Sequence, residues 1–251
     1  MRNLASPRVI KEILSEYEFR FSKSLGQNFL VDEGALAGIL SGADISEDDC
    51  VLEIGPGFGT LTQRLCGAAK KVVCVEIDKT VIPILEENLK DFDNFEIIND
   101  DVMKIGIKSL AEEKFGTENV KVAANLPYYI TTPIIMMLLE SKVKFKSITV
   151  MVQKEVAERM SAKPSTKDYG AITVLCQYYT EPSIVANVPA SLFVPPPKVD
   201  SAVLKLKVLD KPSVEVKDEG VFFRVVKAAF SQRRKTLLNC LSANFPIPKD
   251  E

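Results

Sequence analysis

The stretch CVLEIGPGFGTLTQRL, residues 50–65, predicts a buried strand, a glycine-rich turn and a helix in immediate succession. Its first five residues are apolar except for Glu53, which stands two positions before the first glycine. The glycines at 55, 57 and 59 allow the backbone of the turn to approach a ligand closely. Their spacing is GxGxG, which differs from the GxGxxG of dinucleotide-binding turns. The stretch therefore indicates one strand–turn–helix unit of an open α/β sheet.

Three more strands are predicted further along the chain, and polar residues stand at the end of each one. The strand at 71–77 contains Glu76, at about the offset from Gly55 at which an acid meets ribose hydroxyls in nucleotide-binding units. The strand at 95–99 leads into Asp100 and Asp101, which could cap the next turn or accept a hydrogen bond from an adenine amino group. The strand at 120–124 leads into Asn125. Because the carboxyl ends of parallel strands meet at one edge of a sheet, these residues are expected around one site.

The tetrapeptide NLPY at 125–128 combines an amide, a rigid proline and an aromatic ring at such a strand end. The Asn125 side chain offers a neutral carbonyl acceptor, and Tyr128 offers a flat surface for stacking. Pro127 biases Leu126 toward an extended backbone, which could aim the Leu126 carbonyl in the same direction as the amide. A planar group that bears an amine, such as a nucleobase, would suit this arrangement. Taken alone, the tetrapeptide is equally compatible with an ordinary strand-to-helix turn.

The composition excludes several kinds of enzyme. The chain of 251 residues contains no histidine, which removes serine–histidine and cysteine–histidine nucleophile systems and most catalytic zinc sites. Its five cysteines are widely spaced and are expected to be buried free thiols in a reducing compartment. No apolar run approaches the length of a membrane span, and the first residues lack a long apolar segment. The sequence therefore predicts a cytoplasmic protein that needs neither a membrane nor a metal ion.

The charge is distributed unevenly along the chain. Residues 1–125 carry 14 Lys and Arg against 22 Asp and Glu, whereas residues 126–251 carry 18 against 12. The second half could therefore present a basic face to a polyanion, although uneven surface decoration would give the same count. Its compact basic cluster is Arg233, Arg234 and Lys235, and Lys198 follows a run of three prolines that should hold Phe193 in a set place.

Four features in chain order match the class I S-adenosylmethionine-dependent methyltransferases. An acid and GxGxG stand at the end of the first strand, acids also stand at the ends of the second and third strands, and NLPY follows the fourth. The chain has no GKS/T or GxGxxG turn for phosphates, which fits a cofactor with ribose and adenine but no pyrophosphate. The predicted fold class is therefore α/β, a Rossmann-like methyltransferase domain that binds S-adenosylmethionine.

The assembled motifs resemble those of the small-subunit ribosomal RNA adenine dimethyltransferases and, less closely, those of the erythromycin-resistance rRNA methylases. The motifs that carry the resemblance are SLGQNFLVD (24–32), LEIGPGFGTLT (52–62), VEID (75–78), NDDV (99–102), NLPYYITTPI (125–134), MVQKEVAERM (151–160), FVPPPKVDSAV (193–203) and AFSQRRKTL (229–237). The resemblance implies an N-terminal extension and methyltransferase domain over 1–209 and a small helical C-terminal domain over 210–251, shorter than is usual in the family.

The resemblance also implies the reaction. Members of the family methylate N6 of two adjacent adenosines near the 3′ end of 16S rRNA, twice each, in the 30S subunit or its precursor, and they contribute to 30S biogenesis. A resistance-type enzyme that modifies an adenosine of 23S rRNA is the alternative. A small-molecule methyltransferase and an assembly factor with a vestigial site are further rivals, and a monomer is expected.

The cofactor-binding roles of individual residues follow from the same resemblance, whereas the further roles at the target base and in RNA binding are hypotheses from the chemistry and charge of the residues. The implied cofactor-binding residues are Asn28, Leu30, Gly55, Glu76, Asp101 and Asn125. At the target base, the carbonyl groups of Asn125 and Leu126 are expected to accept the two N6 hydrogens. Tyr128 and Phe193 are expected to stack on the two faces of the base. The RNA-binding residues are expected to be Arg233, Arg234, Lys235 and Lys198.

Overall fold

The computed structural model of the protein describes residues 2–22, 25–116, 119–232 and 234–245, and it contains a seven-stranded mixed sheet flanked by helices. Four strands run parallel in the order β4-β3-β2-β5, and β6 continues the parallel set. The last two strands reverse direction, with β9 antiparallel to β6 and β7 antiparallel to β9 at the edge. This order brings the carboxyl ends of the parallel strands to one edge of the sheet.

The strands agree closely with the predicted ones. All four strands that were predicted to lead into the site are present, together with the predicted strand near 148–152 and the two closing strands. The nine strands of the described residues are β1 (Phe29–Leu30), β2 (Cys50–Ile54), β3 (Lys71–Glu76), β4 (Phe95–Asn99), β5 (Val120–Asn125), β6 (Ser147–Gln153), β7 (Thr180–Val188), β8 (Phe193–Val194) and β9 (Ser201–Val208).

The helices lie between these strands. In the described part of the chain they are α1 (Pro7–Glu16), α2 (Glu33–Ala43), α3 (Thr60–Cys66), α4 (Ile82–Leu89), α5 (Ile107–Phe115), α6 (Thr131–Glu140), α7 (Lys154–Met160), α8 (Ala171–Tyr179), α9 (Glu219–Ala229) and α10 (Leu237–Asn244). The starts of α2 and α9 are capped by aspartates, since Asp32 accepts from the Ala35 N–H and Asp218 from the Val221 N–H, both at 2.8 Å. None of these helices has the length and apolar character needed to cross a membrane.

The core consists of apolar layers on both faces of the sheet. Alternate residues of each strand enter alternate layers, so that Leu52 and Val122 belong to one layer and Val51 and Ala123 to the other. Helices α5 and α6 contribute to the first layer, and helices α2 and α3 contribute to the second. Because both faces are covered, the central strands are mostly apolar, and Glu53 is the exception on β2.

A small second sheet holds the N-terminal segment against the main domain. Strand β1 pairs antiparallel with β8, with Leu30 opposite Phe193. Beside this pair, Phe29 stacks on Phe58 of the glycine-rich turn with ring centroids 4.0 Å apart and planes 5° apart. Sequence reasoning did not identify this sheet. It positions the segment around Asn28 next to the carboxyl ends of the central strands.

Helices α9 and α10 follow the last strand, as the helical pattern after residue 221 predicts. An aromatic cluster joins α8 to α9, with the Tyr178 ring 5.2 Å from the rings of both Phe222 and Phe223. Glu219 adds an ion pair to Lys142 at 2.7 Å. The division into domains at 209/210 stays a prediction.

Candidate methyl-transfer site

The predicted site residues surround a cavity of about 330 Å³ at the carboxyl edge of the parallel strands. The turn after β2, the ends of β3 and β5, the segment after β4 and the N-terminal segment all contribute to its wall. Among the residues predicted to bind a cofactor, the structure brings six together here: Asn28, Leu30, Gly55, Glu76, Asp101 and Asn125. The topology therefore brings together cofactor-site residues that are spread over about a hundred positions of the sequence.

The glycine-rich turn forms the floor of the cavity. Gly55 has a φ of +69°, and no atom lies within 4 Å of the position that a Cβ would occupy there. Gly57 has a φ of +56°, and a Cβ there would lie 2.8 Å from the Phe29 ring. Both backbones are in the left-handed region that glycine adopts without strain. The floor at Gly55 is thus bare backbone with open space above it, which suits the close approach of a ligand.

Glu76 presents a carboxylate that is held before any ligand arrives. The residue is 6% exposed, and burial raises the pKa of its carboxyl group. One oxygen, Oε1, accepts from the Asp78 N–H at 2.8 Å, and Oε2 accepts from the Gly57 N–H at 3.2 Å. Each oxygen retains a lone pair that could accept from a hydroxyl. The arrangement is suited to a vicinal diol such as that of ribose.

Asp101 lies in the cavity wall and also caps the turn after β4. Its Oδ1 accepts from the Met103 N–H at 3.0 Å, and its Oδ2 lies 3.5 Å from the Lys104 ammonium group. The capping role that the sequence left open is therefore present. A bond from this carboxylate to an adenine amino group stays a prediction.

Asn125 is oriented by the N-terminal segment. Its Nδ2 donates to the Asn28 backbone carbonyl at 3.1 Å, so its Oδ1 is the atom left to accept from a ligand. Asn28 is itself braced, since its Nδ2 donates to the Gly26 carbonyl at 2.9 Å. Among the described residues, no N–H or O–H donates to the Leu126 carbonyl oxygen, and Leu126 N–H is held by the Met151 carbonyl at 3.2 Å. Two acceptors are therefore free at this strand end.

Tyr128 contributes its ring to the same wall. Its hydroxyl group and the Ser201 hydroxyl group on β9 are 2.5 Å apart, which fixes the ring relative to the sheet. Burial raises the pKa of the Tyr128 phenol, so this group stays neutral at physiological pH. A neutral, braced aromatic ring beside two carbonyl acceptors is a suitable surface for a purine.

Phe193 does not lie where a stacking role requires it. The residue is 2% exposed on β8, belongs to the apolar layer that contains Leu30 and Leu36, and is absent from the cavity wall. Its ring has no free face in this structure, so the predicted contact with the target base does not fit its position. The position instead supports a mechanical role, because Phe193 pairs with Leu30 and thereby holds the segment that orients Asn125.

The residues predicted to bind RNA are only partly described. Arg233 lies outside the described residues, whereas Arg234, Lys235 and Lys198 are all exposed. Lys198 borders a separate shallow cleft together with Lys154 and Glu155. Their contact with RNA stays a prediction.

Two residues of the site were not assigned a role from the sequence. Glu53 is 1% exposed in the cavity wall, and burial raises its pKa to about 8. Gln27 bridges two segments, because its Oε1 accepts from the Ser22 N–H at 2.8 Å and its Nε2 donates to Asp78 Oδ2 at 2.7 Å. The acid before the glycine-rich turn was a visible signal for Glu53. No local pattern relates Gln27 to Asp78.

The protein is a class I S-adenosylmethionine-dependent methyltransferase. The features that define this class here are the parallel sheet, the glycine floor, the buried Glu76 carboxylate for a diol and the NLPY turn held by Asn28. The family model described as "Ribosomal RNA adenine dimethylase" matches residues 18–250. The chain belongs to the ribosomal RNA adenine dimethylase family.

Individual relatives agree with this assignment. The chain is 57% identical over 242 residues to the ribosomal RNA small subunit methyltransferase A of Alkaliphilus oremlandii, covering 96% of this chain and 84% of the relative. It is 51% identical over 251 residues to the protein of the same name from Clostridioides difficile, covering 100% of this chain and 87% of the relative.

Solved structures show the same fold. A dimethyladenosine transferase from Plasmodium falciparum superposes with a TM-score of 0.69 at 33% identity, covering 84% of this chain and 74% of that one. The 23S rRNA methyltransferase ErmE superposes with a TM-score of 0.68 at 30% identity, covering 86% and 84%. The expectations of a Rossmann-like α/β fold, of S-adenosylmethionine as cofactor and of an rRNA-modifying enzyme are thereby confirmed.

Proposed function

We propose that the protein transfers methyl groups from S-adenosylmethionine to N6 of two adjacent adenosines near the 3′ end of 16S rRNA, giving N6,N6-dimethyladenosines. The name of relatives at 51–57% identity, small subunit methyltransferase A, supports the small-subunit substrate. The observation that carries the chemistry is the bond from Asn125 Nδ2 to the Asn28 carbonyl, because it leaves Asn125 Oδ1 available to the target amine.

The cavity fits the cofactor. Gly55 offers a floor on which no Cβ intrudes, and Glu76 offers two held oxygens for the ribose diol. Asp101 would accept from the adenine amine, while Asn28, Leu30 and Asn125 would hold the remaining part of the cofactor. When bound, S-adenosylmethionine supplies an electrophilic methyl group on a sulfonium sulfur.

The chain's own contribution to the transfer is to prepare the target nitrogen. The lone pair of an adenine N6 is delocalised into the ring and is a poor nucleophile. If Asn125 Oδ1 and the Leu126 carbonyl accept the two N6 hydrogens, these hydrogen bonds favour a pyramidal geometry at N6. The lone pair of N6 is then directed at the methyl group. Positioning and preorganised dipoles of this kind are a recognised source of catalysis.

This mechanism requires no strong base, because the N6 proton becomes acidic only as the new bond forms and is then released to water. The absence of histidine from the chain is consistent with it. The Tyr128 ring, held by Ser201, would stack on the extruded base. The second methylation proceeds with one N6 hydrogen, so one acceptor gives up its bond while the other continues to orient the nitrogen.

Contacts to RNA are assigned to the basic residues of the second half of the chain. Exposed Arg234, Lys235 and Lys198 would meet phosphates, with Arg233 as a fourth member. Such contacts release counterions, so the affinity for 30S particles should fall steeply with salt. An affinity that is independent of salt would contradict this assignment. A substrate inside ribosomal particles also supports a cytoplasmic location and a second role in 30S assembly. The protein is proposed to act as a monomer.

The proposal is tested by mapping the product. Unmethylated 30S particles and 50S particles are incubated separately with the protein and S-adenosylmethionine, and reverse transcription then locates dimethylated adenosines by stops. Stops at two adjacent adenosines near the 3′ end of 16S rRNA are expected. Stops only in 23S rRNA would instead establish the resistance-type activity that the similarity to ErmE keeps as the second candidate.

A further inference from the structure

Tyr129, which directly follows the NLPY turn, stands on the rim of the cavity with 57% of its surface exposed. In the described residues its ring has no aromatic partner, and its hydroxyl group makes no hydrogen bond. Ile77, also in the cavity wall, is 49% exposed. Large apolar surface left open at the mouth of a binding site is a common mark of a contact with a ligand.

The position of the Tyr129 ring is supported from below. A Cβ on Gly26 would lie 3.3 Å from Tyr129 Cδ1, so the ring rests closely on the backbone of the N-terminal segment. Gly26 has a φ of +59°, and Asn28 braces its carbonyl group at 2.9 Å. The ring is therefore supported by an ordered backbone while much of its surface remains open.

Extrusion of a target adenosine leaves a neighbouring base unstacked near the mouth of the cavity. When a base leaves the stack and enters a pocket, the base next to it loses a stacking partner, which opposes extrusion. Successive bases on an RNA-binding surface are commonly received by aromatic rings. Tyr128 and Tyr129 are consecutive, so their Cα atoms are about 3.8 Å apart and their rings are within reach of consecutive nucleotides.

We propose that Tyr129 is a stacking platform for the nucleotide adjacent to the adenosine in the cavity. The platform lowers the energetic cost of extrusion and holds the RNA strand in register at the mouth of the site. This inference rests on the proposed function. The platform recognises a base by its face, so it accepts any neighbouring base and favours a purine, whose larger ring system covers more of the tyrosine.

The kinetic test compares Tyr129→Ala with Tyr129→Phe on unmethylated 30S particles. Loss of stacking on one aromatic ring weakens nucleic-acid binding about 5- to 150-fold, so Tyr129→Ala should raise KM for the particles about fivefold or more. Because the cofactor contacts remain, kcat and the dissociation constant of S-adenosylmethionine should change less than about twofold. Tyr129→Phe, which keeps the aromatic ring, should have the same KM as the wild type. Tyr17→Ala, which removes an exposed ring on α1's C-terminal side, is the matched control.

A second measurement does not depend on activity. The chain contains no tryptophan, so Tyr129→Trp introduces a single fluorophore at the platform, and Tyr17→Trp introduces one at the control position. Each variant is titrated with a single-stranded RNA oligonucleotide that contains two adjacent adenosines. Quenching at 129 but not at 17 is expected. An unchanged KM in Tyr129→Ala, a Tyr129→Phe variant as impaired as Tyr129→Ala, or absence of selective quenching would each overturn the platform. Failure of the wild-type enzyme to methylate 16S rRNA would overturn only the proposed function.

Discussion

Replacing Glu53 with glutamine should remove a large pH dependence from the stability of the cofactor-free protein. Glu53 is 1% exposed on β2, and burial raises its pKa from 4.5 to about 8. Its side-chain contact with Cys74 is weak, with Cys74 Sγ 3.6 Å from Glu53 Oε2. The neighbouring carboxylate of Glu76 raises the pKa further. The folded protein therefore holds Glu53 as a neutral acid, a state that glutamine imitates in shape.

The direction of the effect follows from proton binding. Below pH 4.5 both the folded and the unfolded chain carry the Glu53 proton. Between pH 4.5 and about pH 8 the folded state keeps this proton while the unfolded state releases it, so stability falls as the pH rises. Each pH unit corresponds to about 1.4 kcal/mol, and the full interval of about 3.5 units therefore amounts to about 5 kcal/mol. Glutamine does not titrate, so the variant lacks this loss.

Urea unfolding followed by circular dichroism between pH 5 and pH 9 measures the effect. The difference in unfolding free energy between Glu53→Gln and the wild type should grow with pH in favour of the variant and level off above about pH 8. Taking the difference removes the contributions of titrating groups that are not coupled to Glu53. Glu47→Gln, at an exposed position, controls for the loss of one carboxylate. A difference that changes by less than about 1 kcal/mol over this range would refute the buried neutral acid.

Three further substitutions test packing and polar contacts, two of them at the site and one, Lys121→Met, near the amino ends of the central strands. Glu76→Gln should weaken S-adenosylmethionine binding at least tenfold, as measured by calorimetry. The reason is that an amide can accept from only one of the two backbone N–H groups that donate to the carboxylate. An unchanged affinity would show that Glu76 does not bind the cofactor. Gly57→Ala should lower the unfolding free energy by about 2–4 kcal/mol, since its φ is +56° and the Cβ would meet the Phe29 ring; a loss below about 1 kcal/mol in urea would contradict this. Lys121→Met should lower the unfolding free energy by about 3–5 kcal/mol in the same assay, because it leaves the buried Asp49 without the ammonium group that now lies 2.8 Å away. Equal stability of the variant and the wild type would show that the ion pair does not stabilise the protein.

The strand ends and the cofactor site were predictable because their signals are local. An apolar run that stops at a glycine or a polar residue marks a buried strand and its carboxyl end, and parallel topology then brings those ends together. Gly55, Glu76, Asp101 and Asn125 were placed in this way, and all of them line one cavity.

The features that the sequence did not reveal depend on contacts between distant segments. Strands β1 and β8 have two residues each, too few for a period, and they pair across more than 160 positions. The burial of Phe193 follows from that pairing, and so its predicted stacking role did not fit. The bond from Gln27 to Asp78 likewise joins two turns that carry no shared pattern.

The central claim is that the cofactor and the target base meet at the NLPY turn, with Asn125 as an acceptor for the amine. Single-turnover methyl transfer to 30S particles by Asn125→Ala, at saturating S-adenosylmethionine, tests it most directly, with Asn239→Ala as a control at an exposed asparagine. The rate should fall about 100-fold or more, because a preorganised acceptor is lost. The cofactor dissociation constant, measured separately, should rise no more than about tenfold, since one tie to the N-terminal segment is removed. Unchanged methyl transfer together with unchanged cofactor affinity would contradict the account.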